Sequence, residues 1–123
     1  MAKTRSVEFG FERLEVWQRA VSYYAKVCDL EKVFPRNEMF GQVSQLKSSA
    51  LSISLNIAEG SGRQYKKEFK QFLGIARGSV FETVTNLYAA RQRGLISEED
   101  FTRLYDEGAV IAKMLSSLMN KTG

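Results

Sequence analysis

Apolar residues recur along this chain at steps of three and four, the spacing that places side chains on one face of an α-helix. Leu14, Trp17, Val21, Tyr24 and Cys28 share such a face and predict a first helix over about 11–33. Pro35 ends it, because proline disfavours helical geometry in the residue before it and can open a new helix, so a hinge is expected at Phe34–Pro35. Val43, Leu46, Ala50, Ile53 and Ile57 predict a second helix over about 36–60, closed by left-handed caps at Gly60 and Gly62. Phe69, Phe72, Ala76, Val80, Val84 and Leu87 predict a third over about 65–93, with Arg91 and Arg93 complementing its carbonyl end before Gly94. The fourth opens at Ser97, an N-cap followed by Glu98, Glu99 and Asp100 at the positive end of the helix dipole. Phe101, Leu104, Gly108, Ile111, Leu115 and Leu118 carry it over about 98–119. Short connections force antiparallel neighbours, so the expected architecture is all-α: one up-down-up-down four-helix bundle over 1–123, with frayed ends at 1–10 and 120–123.

The apolar arcs of two helices are wider than one core requires. Phe40, Leu51, Leu55 and Ala58 form a second stripe on helix 2, and Leu73, Phe81 and Tyr88 lie outside the core stripe of helix 3. Scattered surface apolarity is one reading; a subunit interface is the other. Gly74 and Gly78 lie one turn apart, roughly opposite the helix 3 core, where each glycine costs about 1 kcal/mol relative to alanine. Close approach of another backbone would offset that cost, and plain tolerance is the alternative. Phe40, Leu51, Leu55, Gly74, Gly78, Phe81 and Tyr88 are therefore the candidate self-association residues.

Composition narrows the chemistry. The 123 residues contain no histidine, which excludes Ser-His-Asp and Cys-His arrangements and imidazole metal ligation. A single cysteine, Cys28, allows no intrachain disulfide and no thiolate zinc site, and suits a reducing, cytoplasmic setting. Its place on an inward stripe reads as a small buried hydrophobe rather than a nucleophile. The first residues lack the apolar stretch of a secretory signal, and the apolar run from Ala50 to Ala58 is far below the roughly 20 residues that span a bilayer. No phosphate-binding glycine motif occurs, and Gly60-Ser61-Gly62 follows a helix rather than a strand. No enzyme, cofactor or metal site is expected.

Two polar groupings stand out. Asn56, Glu59, Ser79 and Glu82 would need one another if buried, and a polar core network that fixes register is the structural reading. Catalysis would instead require Glu59 and Glu82 to share a wet cleft with separated pKa values. The second grouping is basic: residues 61–94 hold seven basic and two acidic side chains, a net +5, against −3 for residues 97–119. Lys66, Lys70 and Arg77 recur on one side of helix 3, and Arg63, Lys67 and Arg91 extend the stripe. Tyr65 and Tyr88 interleave, so bases could stack while cations meet phosphate. Pairing with the acidic helix beside it, or simple solubility, would explain the same charges.

Four segments together resemble a known family: Phe11-Glu12-Arg13-Leu14-Glu15-Val16-Trp17-Gln18-Arg19-Ala20, Phe34-Pro35-Arg36-Asn37-Glu38, Asn56-Ile57-Ala58-Glu59-Gly60, and Glu68 through Ser79. It is the bacterial four-helix bundle family first associated with intervening sequences in 23S ribosomal RNA genes, and the match covers nearly the whole chain in order. The resemblance implies an up-down-up-down bundle and a ring of five subunits. It extends to the accessory proteins of diversity-generating retroelements, implying RNA or DNA and a nucleic-acid-handling protein such as a reverse transcriptase as partners. It carries over no catalytic residues. This chain departs from the family at Tyr65, where a serine usually caps a glutamate three residues on, so the capping box is lost. The expectation is a non-enzymatic homo-oligomer that binds nucleic acid through helix 3, or else a protein-interaction scaffold with no nucleic-acid role.

Overall fold

The computed structural model describes residues 8–123, so the predicted fraying of residues 1–7 lies outside the described residues. Four α-helices follow one another: α1 (Glu15–Cys28), α2 (Gln42–Ser61), α3 (Lys66–Gln92) and α4 (Glu98–Lys121). α2 packs on α3, α3 on α4, and α4 returns to α1, which closes the bundle around one apolar core. No helix among the described residues is long and apolar enough to cross a membrane.

Local chemistry accounts for two of the helix ends. Ser97 caps α4 as expected, its Oγ accepting from the Asp100 N–H at 3.0 Å. At the other end of α3, Gly94 adopts φ +72, and the Leu95 and Gly94 N–H groups donate to the Ala90 and Arg91 carbonyls, both at 2.9 Å. That is a Schellman termination, which a left-handed glycine makes inexpensive. Tyr65 stands at the N-cap of α3 and makes no side-chain cap bond.

Several expected boundaries and faces are corrected. The first helix is shorter than 11–33: 3₁₀ turns at Gly10–Arg13 and Asp29–Lys32 flank α1. The chain does not re-enter a helix at residue 36; a 3₁₀ turn at Arg36–Glu38 intervenes, and α2 starts at Gln42. Phe34 is no free hinge, since its ring is buried. Residues 120 and 121 continue α4 rather than fray.

The buried face of α1 is Val16, Ala20, Tyr23 and Val27, offset from the expected stripe by one residue, or about 100° of rotation. Val21 is exposed, while Trp17, Tyr24 and Cys28 sit half-covered at the flank. Both stripes have helical spacing; Val16, Ala20, Tyr23 and Val27 enter the core, and Leu14, Trp17 and Tyr24 pack against it only partly buried. Tyr23 donates its hydroxyl to the Leu104 carbonyl at 3.1 Å, and burial pushes its pKa upward. On α3, Leu73 is fully buried, not outside the core stripe.

Gly60 and Gly62 do not cap α2 in left-handed geometry, since neither has positive φ. Gly60 is inside the helix, where a β-carbon would lie 2.5 Å from Phe72 Cβ and 3.1 Å from Phe69 Cδ1. Its missing side chain allows α2 and α3 to touch backbone to ring.

Candidate nucleic-acid interface

α3 places the basic residues, and the structure sorts them into distinct situations. Lys66, Lys67 and Lys70 occupy its first two turns, all exposed. None of the three makes an ion pair among the described residues. Arg63, in the preceding turn, donates to Glu59 at 2.8 Å and lies 4.8 Å over the Phe72 ring. Arg77 lies 4.6 Å over Phe81, with its Nε buried and unpartnered among the described residues.

Arg91 does not extend this patch. Twenty-five residues beyond Lys66 at 1.5 Å per residue put it about 37 Å away along the helix. There it pairs with Glu98 at 3.5 Å and stacks 4.0 Å over Phe101 and 5.1 Å over Tyr88. Tyr88 belongs to that same aromatic cluster, edge-on to Phe101 at 5.0 Å and to Tyr105 at 6.1 Å. The aromatic residue that accompanies the lysines is Tyr65, which is 62% exposed.

The polar network exists in altered membership. Asn56 Nδ2 donates to the Ser52 carbonyl at 2.8 Å and the Ser52 hydroxyl at 2.9 Å, and that hydroxyl shares a 2.9 Å hydrogen bond with Ser79. One turn on, buried Thr83 donates to the Ser49 hydroxyl, also 2.9 Å away. Asn56 and Ser79 therefore belong to the α2–α3 contact. Glu59 and Glu82 do not: the first faces Arg63 near the surface and the second is exposed on α3. Ser49, Ser52 and Thr83 were missed, although Ser49, Ser52 and Asn56 recur at helical steps and could have been read together. The network joins two helices.

The candidate self-association residues do not share one face. Phe81 and Tyr88 lie on the flank of α3 that meets α4, whereas Leu55 is exposed on the outer side of α2 and Leu51 is half-buried. Phe40, in the turn before α2, is 99% exposed. Gly74 does not point away from the bundle: a β-carbon there would lie 3.6 Å from Met119 Cε of α4. Gly78 has open space around it.

These features define an all-α antiparallel four-helix bundle with an exposed lysine cluster at one end of its third helix. The chain belongs to the family of 23S rRNA-intervening sequence proteins, whose model matches residues 12–117. Its structure is similar to that of a protein of unknown function from the S23 ribosomal protein family of Bacteroides thetaiotaomicron VPI-5482. The TM-score is 0.80 at 24% identity, over 85% of this chain and 95% of that one, a likeness of fold. No protein with a curated function matches this sequence.

Proposed function

We propose that this chain is a non-enzymatic, self-assembling bundle that binds nucleic acid through the start of α3. The observation that carries the reading is the state of its cations. Lys66, Lys67 and Lys70 project from successive turns without an ion pair among the described residues, while Arg63 and Arg91 are engaged by Glu59 and Glu98. Lysines held apart from acids are free to exchange mobile counterions for phosphate, and Tyr65 beside them offers a ring to an unstacked base. Self-assembly would repeat this small patch and multiply its affinity. The resemblance adds a nucleic-acid-handling protein such as a reverse transcriptase as a further partner, and a cytoplasmic setting suits the lone Cys28.

The test is fluorescence anisotropy with labelled single-stranded RNA and duplex DNA at low and moderate salt. Binding that weakens steeply with salt, and at least tenfold in K66E/K67E/K70E, supports the reading; absent or salt-insensitive binding overturns it. The exposed apolar side chains of Phe40, Leu55 and Ile75 favour a second reading, a protein-interaction scaffold. Capture of a purified protein partner that is unaffected by the lysine substitutions, with no nucleic-acid binding, would establish that alternative.

A further inference from the structure

The lysine cluster at the start of α3 continues along one flank of that helix into an apolar hollow. Lys70, Gly74, Arg77, Phe81 and Tyr88 recur at steps of three, four and seven, so they share this flank. It looks toward α4: a β-carbon at Gly74 would lie 3.6 Å from Met119 Cε, and the Tyr88 ring meets Phe101 and Tyr105 at 5.0 and 6.1 Å. Between those two contacts, Phe81, Val84, Tyr105, Gly108, Ala109 and Ala112 line an open groove of about 450 Å³. Its α4 wall is low, since Gly108 and the two alanines contribute almost no side chain. Phe81 on the α3 side and Tyr105 on the α4 side remain 51% and 39% exposed.

Charge is unevenly spread along this groove. At the end nearer Lys70, the Arg77 guanidinium lies 4.6 Å over the Phe81 ring, and its Nε is buried without an acceptor. Exposed Lys113, next to Ala112, supplies a second cation. Neither makes an ion pair among the described residues. At the other end Arg91 is already paired with Glu98, and Glu99 and Asp100 share that first turn of α4. Glu82 and Asp106, next in sequence to Phe81 and Tyr105, are each turned about 100° further round their helices and do not line the groove. An anion is therefore favoured at the Arg77 end alone. Inside, Thr85 Oγ1 gives its proton to the Phe81 carbonyl at 2.8 Å, which leaves its oxygen as an acceptor.

We propose that this groove seats one unstacked base of a single-stranded nucleic acid whose phosphates follow Lys113, Arg77 and Lys70 back to the lysine cluster. A base suits the hollow because it is planar and apolar on its faces, which Phe81 and Tyr105 can contact, and polar at its edge, where an N–H meets the Thr85 oxygen. Lys70 and Phe81 are eleven residues apart, about 16 Å along the helix axis, so a strand of a few nucleotides reaches both. A duplex cannot use the seat without first breaking the pairing and stacking of the base that enters. This deepens the proposed nucleic-acid binding and rests on it: the lysines attract any phosphate chain, and the groove adds a preference for single strands.

The experiment measures anisotropy of the full chain with three labelled probes of one length: single-stranded RNA, the same strand with its bases removed, and duplex RNA. Two variants leave every cation in place, Ala109→Leu, which fills the groove from α4, and Phe81→Ala, which removes its α3 wall. Both positions are exposed, so thermal melts near the wild-type value are expected. The expected result is that the wild type prefers the intact single strand, and that each variant weakens this binding roughly fivefold or more, the lower bound for one stacked base. Binding of the abasic strand and the duplex, and the salt slope, stay unchanged. Equal wild-type binding of intact and abasic strands overturns the seat. A preference for bases that neither variant reduces also overturns it, leaving the lysine contacts standing and Tyr65 as the stacking surface. A wild-type protein that binds none of the three probes overturns the lysine reading and the seat with it.

Discussion

Gly60 and Thr83 show how single atoms set the distance between α2 and α3. A methyl group at Gly60 would sit 2.5 Å from Phe72 Cβ, so Gly60→Ala must push the helices apart. Overpacking of this kind costs about 1–3 kcal/mol. The expected outcome in thermal unfolding is a drop of several degrees, against little change for Gly62→Ala, which meets only carbonyl oxygens at 3.7 Å and beyond. The Thr83 hydroxyl lies 2.8 Å from the Ser79 carbonyl oxygen and 2.9 Å from the Ser49 hydroxyl, its one proton shared between the two contacts, and the residue has no exposed surface. Thr83→Val keeps its shape and removes both bonds, which should cost about 1–3 kcal/mol, read by chemical denaturation. At this scale the sequence was only partly legible. Gly60 looked like a helix terminator, since glycine serves both ends and close contacts, and only the positions of the Phe72 β-carbon and the Phe69 ring distinguish the two.

Among the elements, α3 carries the most informative local conflict. Its N-cap position holds Tyr65, which supplies no cap bond, although serine, threonine, aspartate or asparagine there would satisfy an orphan N–H. Tyr65→Ser should therefore stabilise the bundle by about 1 kcal/mol. If Tyr65 contributes a stacking surface, the same substitution weakens single-stranded RNA binding, so stability and binding would move in opposite directions. Loss of stability on this change would show that the tyrosine ring packs rather than binds. The turn before α2 depends on charge. Bonding from Arg93 holds the Glu38 carboxyl below the usual carboxylate range, so the folded chain releases this proton more readily than the unfolded chain. The resulting stabilisation is fully present above the unfolded value, about pH 4.3, and is lost as pH falls through the lowered folded value. Glu38→Gln should flatten that part of the melting-temperature profile. Sequence spacing revealed four helices because each has a sustained apolar period, but it blurred the ends of α1 and the start of α2. There 3₁₀ turns keep apolar spacing while changing the hydrogen-bond pattern.

At the scale of the whole molecule, the chain's charge asymmetry becomes a spatial one. Three lysines with no ion pair among the described residues lie at the start of α3, and the acids in the first turn of α4 sit at the far end of that same helix. A single copy engaging phosphate through Lys66, Lys67 and Lys70 should show a log–log salt slope of about −2 to −3, and an assembly engaging several copies should show a multiple of it. Titration of labelled RNA across salt concentrations measures this directly, and a slope near zero would count against phosphate contacts. The six basic candidates looked like one stripe in sequence because a helical wheel projects along the axis and discards the 37 Å, approximately, that separate Lys66 from Arg91. The self-association residues scattered for a related reason: Phe81 and Tyr88 share an apolar character with Leu55 but face different neighbours.

The sequence by itself determined the helix count, their order and antiparallel connection, the Ser97 start of α4 and the Gly94 stop of α3. Each of these follows from contacts within a few residues, where spacing and side-chain type fix the local energetics. Tertiary structure decided which of two apolar stripes on α1 is buried, that Leu73 enters the core, that Gly60 serves contact rather than termination, and that Ser49, Ser52 and Thr83 complete the polar network. It also decided which cations keep their charge unpaired. Those outcomes depend on atoms brought together from distant parts of the chain, and helical periodicity specifies the directions in which side chains point without specifying what they will meet.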